Sequence, residues 1–363
     1  MKKSITFAFN HLQYADGVAR AAIGMANLLA DRDDIQVTLR PIYHMDKQVQ
    51  EILSPNVAVK PVLGFYISGL SRILNKLPGG VLHHLVFGKQ ESDIEIGFQH
   101  GTATRAVVSG KRKHARRLVW VHGYDNRLRL REFYLKADKV ICVSESNAKR
   151  LKEDLGLPAD SQQVDYCYNP IDDREVERLG REPVNLPESE AVRFITVGRL
   201  SPEKGYLRLL HALSRLKQDG YSFQMIFVGD GPQKEELMDT AKECGLEGCV
   251  LFLGEQSNPH KYTVKADVFV CSSFAEGYST SCTEAVMLGV PVVSTLVSGA
   301  EEIIRSAQSG IVTENSEDGL YDNLKKILDD PEVISQWKEV LKNSRHNFSI
   351  EKRKQKLEKV LNI

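Results

Sequence analysis

The chain has 363 residues, 42% of them apolar, and its 48 basic and 48 acidic side chains cancel to a formal net charge of zero. That length suits two domains of about 150–200 residues, and the apolar content is that of a soluble protein able to build cores. Zero net charge without a nucleic-acid motif leaves no case for nucleic-acid binding, and six cysteines without a C-x-x-C pair or zinc spacing leave none for a disulfide scaffold or a structural metal. The charge is uneven: residues 1–180 hold 26 Lys/Arg against 21 Asp/Glu, and residues 181–363 hold 22 against 27. A mildly basic first half suits a phosphate-bearing partner or an anionic membrane surface. The cysteine usage predicts a reducing cytoplasm. Lys2-Lys3 before an apolar run mimics a signal peptide, but Asn10, His11 and Asp16 end the run too soon. No stretch reaches the ~20 apolar residues of a spanning helix.

Ile5 to Phe9 reads as the first strand, followed by a loop from Asn10 to Gly17 and a periodic helix from Val18 to Ala30. A glycine just before a first helix, here Gly17, lets backbone approach a phosphate; a simple strand-to-helix turn is the competing reading. Asp31-Arg32-Asp33 has the form of a D-x-D metal motif but ends an amphipathic helix, so it reads as a solvated helix end. Residues 62–88 are apolar and aromatic, carry Arg72, Lys76 and two histidines, and contain no acid. Leu70, Ile73, Leu74 and Leu77 fall on one helical face there. The stretch reads as a membrane-surface or lipid-acceptor patch, against a core helix under a covering loop. The basic run Lys111 to Arg117 reads as a solvated loop or, beside that patch, as a site for acidic head groups.

Strands Ile94–Phe98 and Leu118–Val121 end in Gln99-His100-Gly101-Thr102 and His122-Gly123-Tyr124-Asp125. A histidine at a strand's carboxyl end lies at the ligand-binding edge of a parallel sheet, with a satisfied loop histidine as the alternative for His100 and His122. Ala137 to Ser146 gives another strand and a Ser-capped helix start. Asn169-Pro170 makes a stiff turn, and the polar segment after it, with Pro183 and Pro187, reads as a linker.

The second half restarts the alternation of strand and helix. Phe194–Val197 is followed by Gly198-Arg199-Leu200-Ser201-Pro202-Glu203-Lys204-Gly205, in which Arg199 and Lys204 bracket a turn that opens a helix. A forked guanidinium and a mobile ammonium together suit a diphosphate. Gly229-Asp230-Gly231-Pro232 could pass for a dinucleotide fingerprint, but position 234 is Lys where the third glycine belongs. Val250–Leu253 is the next strand. The stretch from Val268 to Ser294 is a strand, a loop with Glu276-Gly277-Tyr278-Ser279, a helix opening near Thr280, and a further strand. The first turn of such a helix is a natural anion site. Glu276 lies before the helix and Glu284 inside it, so the two carboxylates can face hydroxyls on either side of a bound phosphate. Two hydroxyl-bearing groups flanking a diphosphate describe a nucleotide sugar.

These motifs together, spread over nearly the whole chain, resemble the retaining glycosyltransferases of the GT-B fold, family four (group 1), of the bacterial polysaccharide type. The carriers are EGYSTSCTEAVMLGVPVV with its E-x7-E, GRLSPEKG and VGDGP. The resemblance implies an α/β chain of two Rossmann-like domains facing across a central cleft. Residues 1–172 would bind the acceptor, 173–191 link, 192–345 bind the nucleotide sugar, and 346–363 form a helix crossing back to the first domain. His122 matches the family's histidine close to the donor sugar, and His100 is a weaker candidate for facing the acceptor. Gly17 stands for a family Gly-Gly pair whose first glycine is here Asp16. Gly254, Glu255 and Gln256 lie where the family cradles the nucleotide base. Glu276 would orient sugar hydroxyls and Glu284 the ribose, with Gly277, Tyr278, Ser279 and Thr280 completing the loop.

The implied reaction is retaining, metal-independent transfer of a hexosyl unit, with His122, Glu276, Arg199 and Lys204 as catalytic candidates and no cofactor. The donor would be a UDP-sugar and the acceptor a glycan or lipid-linked hydroxyl in cell-surface polysaccharide synthesis. Work on a lipid-linked acceptor would place the chain in the cytoplasm, peripheral on the inner face of the membrane through 62–88 and 111–117. Two other classes compete. One is a catalytically silent sugar-nucleotide-binding partner subunit, against which the intact site residues argue. The other is a dehydrogenase, against which the broken glycine motif argues.

Overall fold

Long apolar runs at two-residue pleat spacing, alternating with amphipathic segments, can bury both faces of a strand only in a parallel sheet covered by helices on each side. The computed structural model, which describes residues 2–14, 16–89, 91–110, 114–123 and 130–363, contains two such sheets. In the first unit the strands are β1 (Lys3–Leu12), β2 (Ile35–Met45), β3 (Val57–Val59), β4 (Ile94–Gly97), β5 (Arg116–Val121), β6 (Lys139–Cys142) and β7 (Val164–Tyr166). Their order is β3-β2-β1-β4-β5-β6-β7, and every pairing is parallel. In the second unit the strands are β8 (Val192–Val197), β9 (Phe223–Val228), β10 (Val250–Phe252), β11 (Val268–Cys271), β12 (Val292–Thr295) and β13 (Gly310–Thr313). The order β10-β9-β8-β11-β12-β13 is again all parallel. Strand order reverses between β1 and β4 in the first sheet and between β8 and β11 in the second. Ligands of open parallel sheets bind outside the carboxyl ends of the strands at such reversals.

The first unit comprises Met1–Pro170 with Arg353–Ile363, and the second Ile171–Lys352. The tail joins the first unit through the final helix, Ile350–Leu361. Leu357, Val360 and Leu361 are buried. Glu358 pairs with Arg32 at 2.9 Å, Lys356 with Asp165 at 3.0 Å, and the Arg353 guanidinium lies 4.5 Å over the Tyr168 ring. Asp173–Gly180, expected within a linker, is a helix. Asp172 caps it by accepting from the amides of Arg174 and Glu175. Pro183 and Pro187 mark where the irregular chain begins.

The apolar stretch 62–88 departs from the expected single helical face. It forms two short helices, Leu70–Leu74 and Gly79–Phe87, broken before Pro78. Leu74 is buried, and Leu70 and Leu77 pack on a cluster with Leu82, Phe87 and Val107. Ile73 turns outward instead, with Phe65, Tyr66, Ile67 and Val81. Of the basic run, Lys111 to Lys113 lie outside the described residues. Arg116 and Arg117 belong to β5 and are already engaged, Arg116 by the Leu361 carbonyl and Arg117 by Asp138 at 3.0 Å.

Candidate active site

The expected site residues follow the carboxyl ends of strands in each unit: Gly17 after β1 and His122 after β5 in the first, Arg199 and Lys204 after β8, Gly254 to Gln256 after β10 and Glu276 after β11 in the second. In the second unit β8 runs into the Gly198–Gly205 turn and β11 into the Ser272–Ser279 loop. The two loops interlock: Ser272 Oγ donates to the Lys204 carbonyl at 2.8 Å, and the Phe274 amide donates to the Glu203 carbonyl at 2.8 Å. Gly205 makes this approach feasible. Its φ is +64°, and a Cβ there would stand 2.2 Å from the Ser272 carbonyl oxygen. Gly229 does the same on the β9 side, where a Cβ would meet the Gly198 carbonyl at 2.0 Å. The Gly-Asp-Gly-Pro string, which reads as a broken dinucleotide fingerprint, is thus a close backbone contact between the β8 and β9 loops.

On this frame Lys204 Nζ and Glu276 Oε1 form an ion pair of 2.8 Å, and Ser273 Oγ donates to the same carboxylate oxygen at 2.6 Å. Partial burial disfavours the Lys204 charge, but Glu276 outweighs it and holds the ammonium's pKa above its ordinary value. Arg199 is exposed and has no ion-pair partner among the described residues. The helix Thr280–Met287 starts at Ser279, whose side chain accepts from the Cys282 amide at 3.2 Å. The amides of Thr280 and Ser281 are left without a partner among the described residues. Two cations and a helix N-terminus at one sheet reversal make an anion site. Tyr278 is buried against Gly299, and Glu284 is half-buried on the helix. Gly254, with φ +68°, follows β10 and accepts from the Gly229 amide at 2.8 Å. Glu255 is exposed, and Gln256 is tied back within its own loop to the Leu253 carbonyl and Tyr262.

In the first unit Gly17 is exposed, with nothing near its open face. Asp16 caps the following helix by accepting from the Val18 amide at 3.1 Å. Gln99, after β4, accepts from the amides of Asn10 and His11 at 2.9 and 3.0 Å and so holds the β1 loop to β4. His122 follows β5, its ring 4.5 Å from that of Phe98. Its Nε2 is enclosed and has no partner among the described residues. Burial, aided by nearby His100, pushes its pKa down to about 3, although the Phe98 carbonyl pulls the other way. Burial thus favours the neutral ring. His100 lies 3.5 Å from the Tyr134 hydroxyl. Tyr124 and Asp125 lie outside the described residues.

Sequence reasoning missed several groups. Ser272, Ser273, Thr295 and Asn315 bind the Glu276 loop through backbone and side chain, and only their polarity at strand ends hints at it. Cys271 and Cys282 are both buried, and the Cys271 thiol donates to Ser273 Oγ at 3.6 Å, the same hydroxyl that holds Glu276. The described residues contain no cluster able to hold a metal ion and no helix long and apolar enough to cross a membrane.

Residues 181–354 match the family model described as "Glycosyl transferases group 1". A Campylobacter jejuni protein named N-acetylgalactosamine-N,N'-diacetylbacillosaminyl-diphospho-undecaprenol 4-alpha-N-acetylgalactosaminyltransferase is 30% identical over 61% of this chain. The putative colanic acid biosynthesis glycosyltransferase WcaL of Escherichia coli is 28% identical over 60% of it. The chain spans 60% of the length of the first and 55% of the second. The Anabaena protein Alr3699/HepE in complex with UDP and glucose superposes with a TM-score of 0.73 at 18% identity, over 99% of both chains. A glycosyltransferase from Rickettsia africae gives 0.75 at 19%, also over 99% of both.

Proposed function

Starting from a chain that belongs to the group 1 glycosyltransferases and has their two-domain α/β GT-B fold, we propose that it moves a hexosyl unit from a nucleoside diphosphate donor to a hydroxyl of a growing glycan or lipid-linked acceptor, retaining the anomeric configuration and needing no metal. The observation that carries this reading is the Lys204–Glu276 pair beside the Thr280–Met287 helix start. A diphosphate leaves readily once its charge is neutralised, so fixed positive charge is the main catalytic requirement. Arg199 and the Lys204 N–H bonds not used by Glu276 supply it, with the Thr280 and Ser281 amides. Glu276, already oriented by Ser273, takes sugar hydroxyls, and Glu284 takes the ribose. Gly254 to Gln256 border the base. His122 offers the Nε2 of its neutral ring to a sugar hydroxyl, and Gly17 an open backbone surface.

UDP is the proposed nucleotide; the Anabaena neighbour was solved with UDP and glucose. The Campylobacter relative's name carries a diphospho-undecaprenol group. An acceptor of that chemistry would bring this chain to a membrane, and the acid-free apolar stretch supports the idea. Within 62–88, Phe65, Tyr66, Ile67, Ile73 and Val81 are exposed, as are Arg72 and Lys76 between them in sequence. The test is a thermal-shift screen of the full chain with UDP-sugars and GDP-sugars. A rise in melting temperature with one nucleotide class and not with NAD supports the reading, whereas a rise with NAD alone refutes it.

A further inference from the structure

Arg208, in the first turn of the helix Tyr206–Gln218, is buried, and no carboxylate pairs with it among the described residues. Buried cations ordinarily take an acid as partner; this one is satisfied by peptide carbonyls alone. Its Nε and Nη2 donate to the Ser272 carbonyl at 3.0 and 2.5 Å, Nη2 also to the Ser273 carbonyl at 2.8 Å, and Nη1 to the Asn315 carbonyl at 3.1 Å. The half-exposed ring of Phe274 covers it, 3.9 Å from Cζ. Two of those carbonyls belong to the loop that presents Glu276, and Ser273 is the residue whose hydroxyl holds the Glu276 carboxylate.

We propose that Arg208 is a positioning residue for the donor site. Its planar fork sets the peptide planes of Ser272 and Ser273, and through them the placement of Glu276 against Lys204. The inference rests on the donor-binding reading above. A lysine cannot reproduce the fork, because its ammonium is a point charge that cannot grip two successive carbonyls in one plane. Asn315 strengthens the same clamp from the other side, its Nδ2 donating to the Phe274 carbonyl at 3.1 Å.

The test compares Arg208→Lys and Phe274→Ala with wild type. The second removes only the exposed ring over the guanidinium and so guards against failure of the first to fold. Amide hydrogen exchange needs no donor. In both variants the amide of residue 274, which bonds across to Glu203 in wild type, should exchange about ten-fold faster or more relative to its intrinsic rate, with β8 and β11 unchanged. Unchanged exchange at position 274 in both variants overturns the proposal. UDP release from UDP-sugar then separates positioning from general loosening. Arg208→Lys should slow it about ten-fold or more in the wild-type background and by less than about three-fold in Glu276→Ala, because coupled residues are non-additive. Equal losses in both backgrounds overturn a role through Glu276. Absence of UDP release from wild type refutes the UDP reading and leaves the exchange result to decide on Arg208.

Discussion

Lys204 Nζ and Glu276 Oε1, 72 positions apart in the chain, meet at 2.8 Å at the reversal between β8 and β11. Each was expected to serve a different part of the donor, the ammonium its diphosphate and the carboxylate its sugar. In the proposed donor site their contact supplies a counter-charge that a bound diphosphate would have to share or displace. Lys204→Ala should therefore reduce turnover by about 10²-fold or more, as loss of one preorganised charge does. Arg199 is exposed with no ion-pair partner among the described residues, so Arg199→Ala should slow turnover while leaving stability within about 0.5 kcal/mol of wild type. Thermal melting beside initial rates checks both; normal rates for Arg199→Ala would make that side chain an ordinary surface residue.

Glu284→Ala should weaken UDP binding about ten-fold or more, since a charge-assisted hydrogen bond is worth roughly 1.5–3 kcal/mol. Titration calorimetry reads this directly, and an unchanged affinity would remove Glu284 from the ribose.

His122 supports a prediction in pH as well as in rate. His122→Ala should leave UDP affinity nearly intact and cut turnover by about 10²-fold or more. The ring's pKa is pushed down to about 3 in the folded chain, below the ordinary ~6.5 of an unfolded histidine. Between those values the unfolded chain binds a proton that the folded chain does not, so stability falls as pH drops through that window. His122→Gln should flatten part of this fall. Denaturant melts of the two proteins at pH 7, 5 and 4 check it; parallel losses would mean that the imidazole is protonated in the folded state.

Much of this was legible in the residues. Strands as apolar as Val268–Cys271 and Phe223–Val228 can only be interior strands, and the helix from Thr280 stops where Gly289 demands it. That Glu276, Arg199 and Lys204 each follow a strand's carboxyl end was legible from the strand and loop pattern. What stayed hidden depends on tertiary placement. No periodicity shows that Ser272 reaches the Lys204 carbonyl, that Gly229 packs on Gly198, or that Arg208 bonds to the Ser272 and Ser273 carbonyls. The spacing of Leu70, Ile73, Leu74 and Leu77 predicts one apolar face, but the helix ends after Leu74, which is buried while Ile73 is exposed.

That geometry changes the test of membrane attachment. Phe65→Ser with Ile67→Ser should reduce co-sedimentation with anionic vesicles without lowering stability, because both side chains are exposed. Leu70→Ser with Leu74→Ser should instead cost about 2–5 kcal/mol of stability, because Leu74 is buried. Binding should weaken with salt, since Arg72 and Lys76 are exposed. Failure of wild type to bind anionic vesicles at low salt would make a soluble acceptor the better reading.

The proposed chemistry splits a nucleotide sugar at the β8–β11 reversal. The measurement is release of UDP from a panel of UDP-sugars in EDTA, by wild type and by Lys204→Ala, with the anomeric configuration of the product read by NMR. Metal-independent release with one sugar, a retained configuration, and loss of both products in Lys204→Ala are expected. Release that is indifferent to Lys204, or an inverted product, would contradict that chemistry.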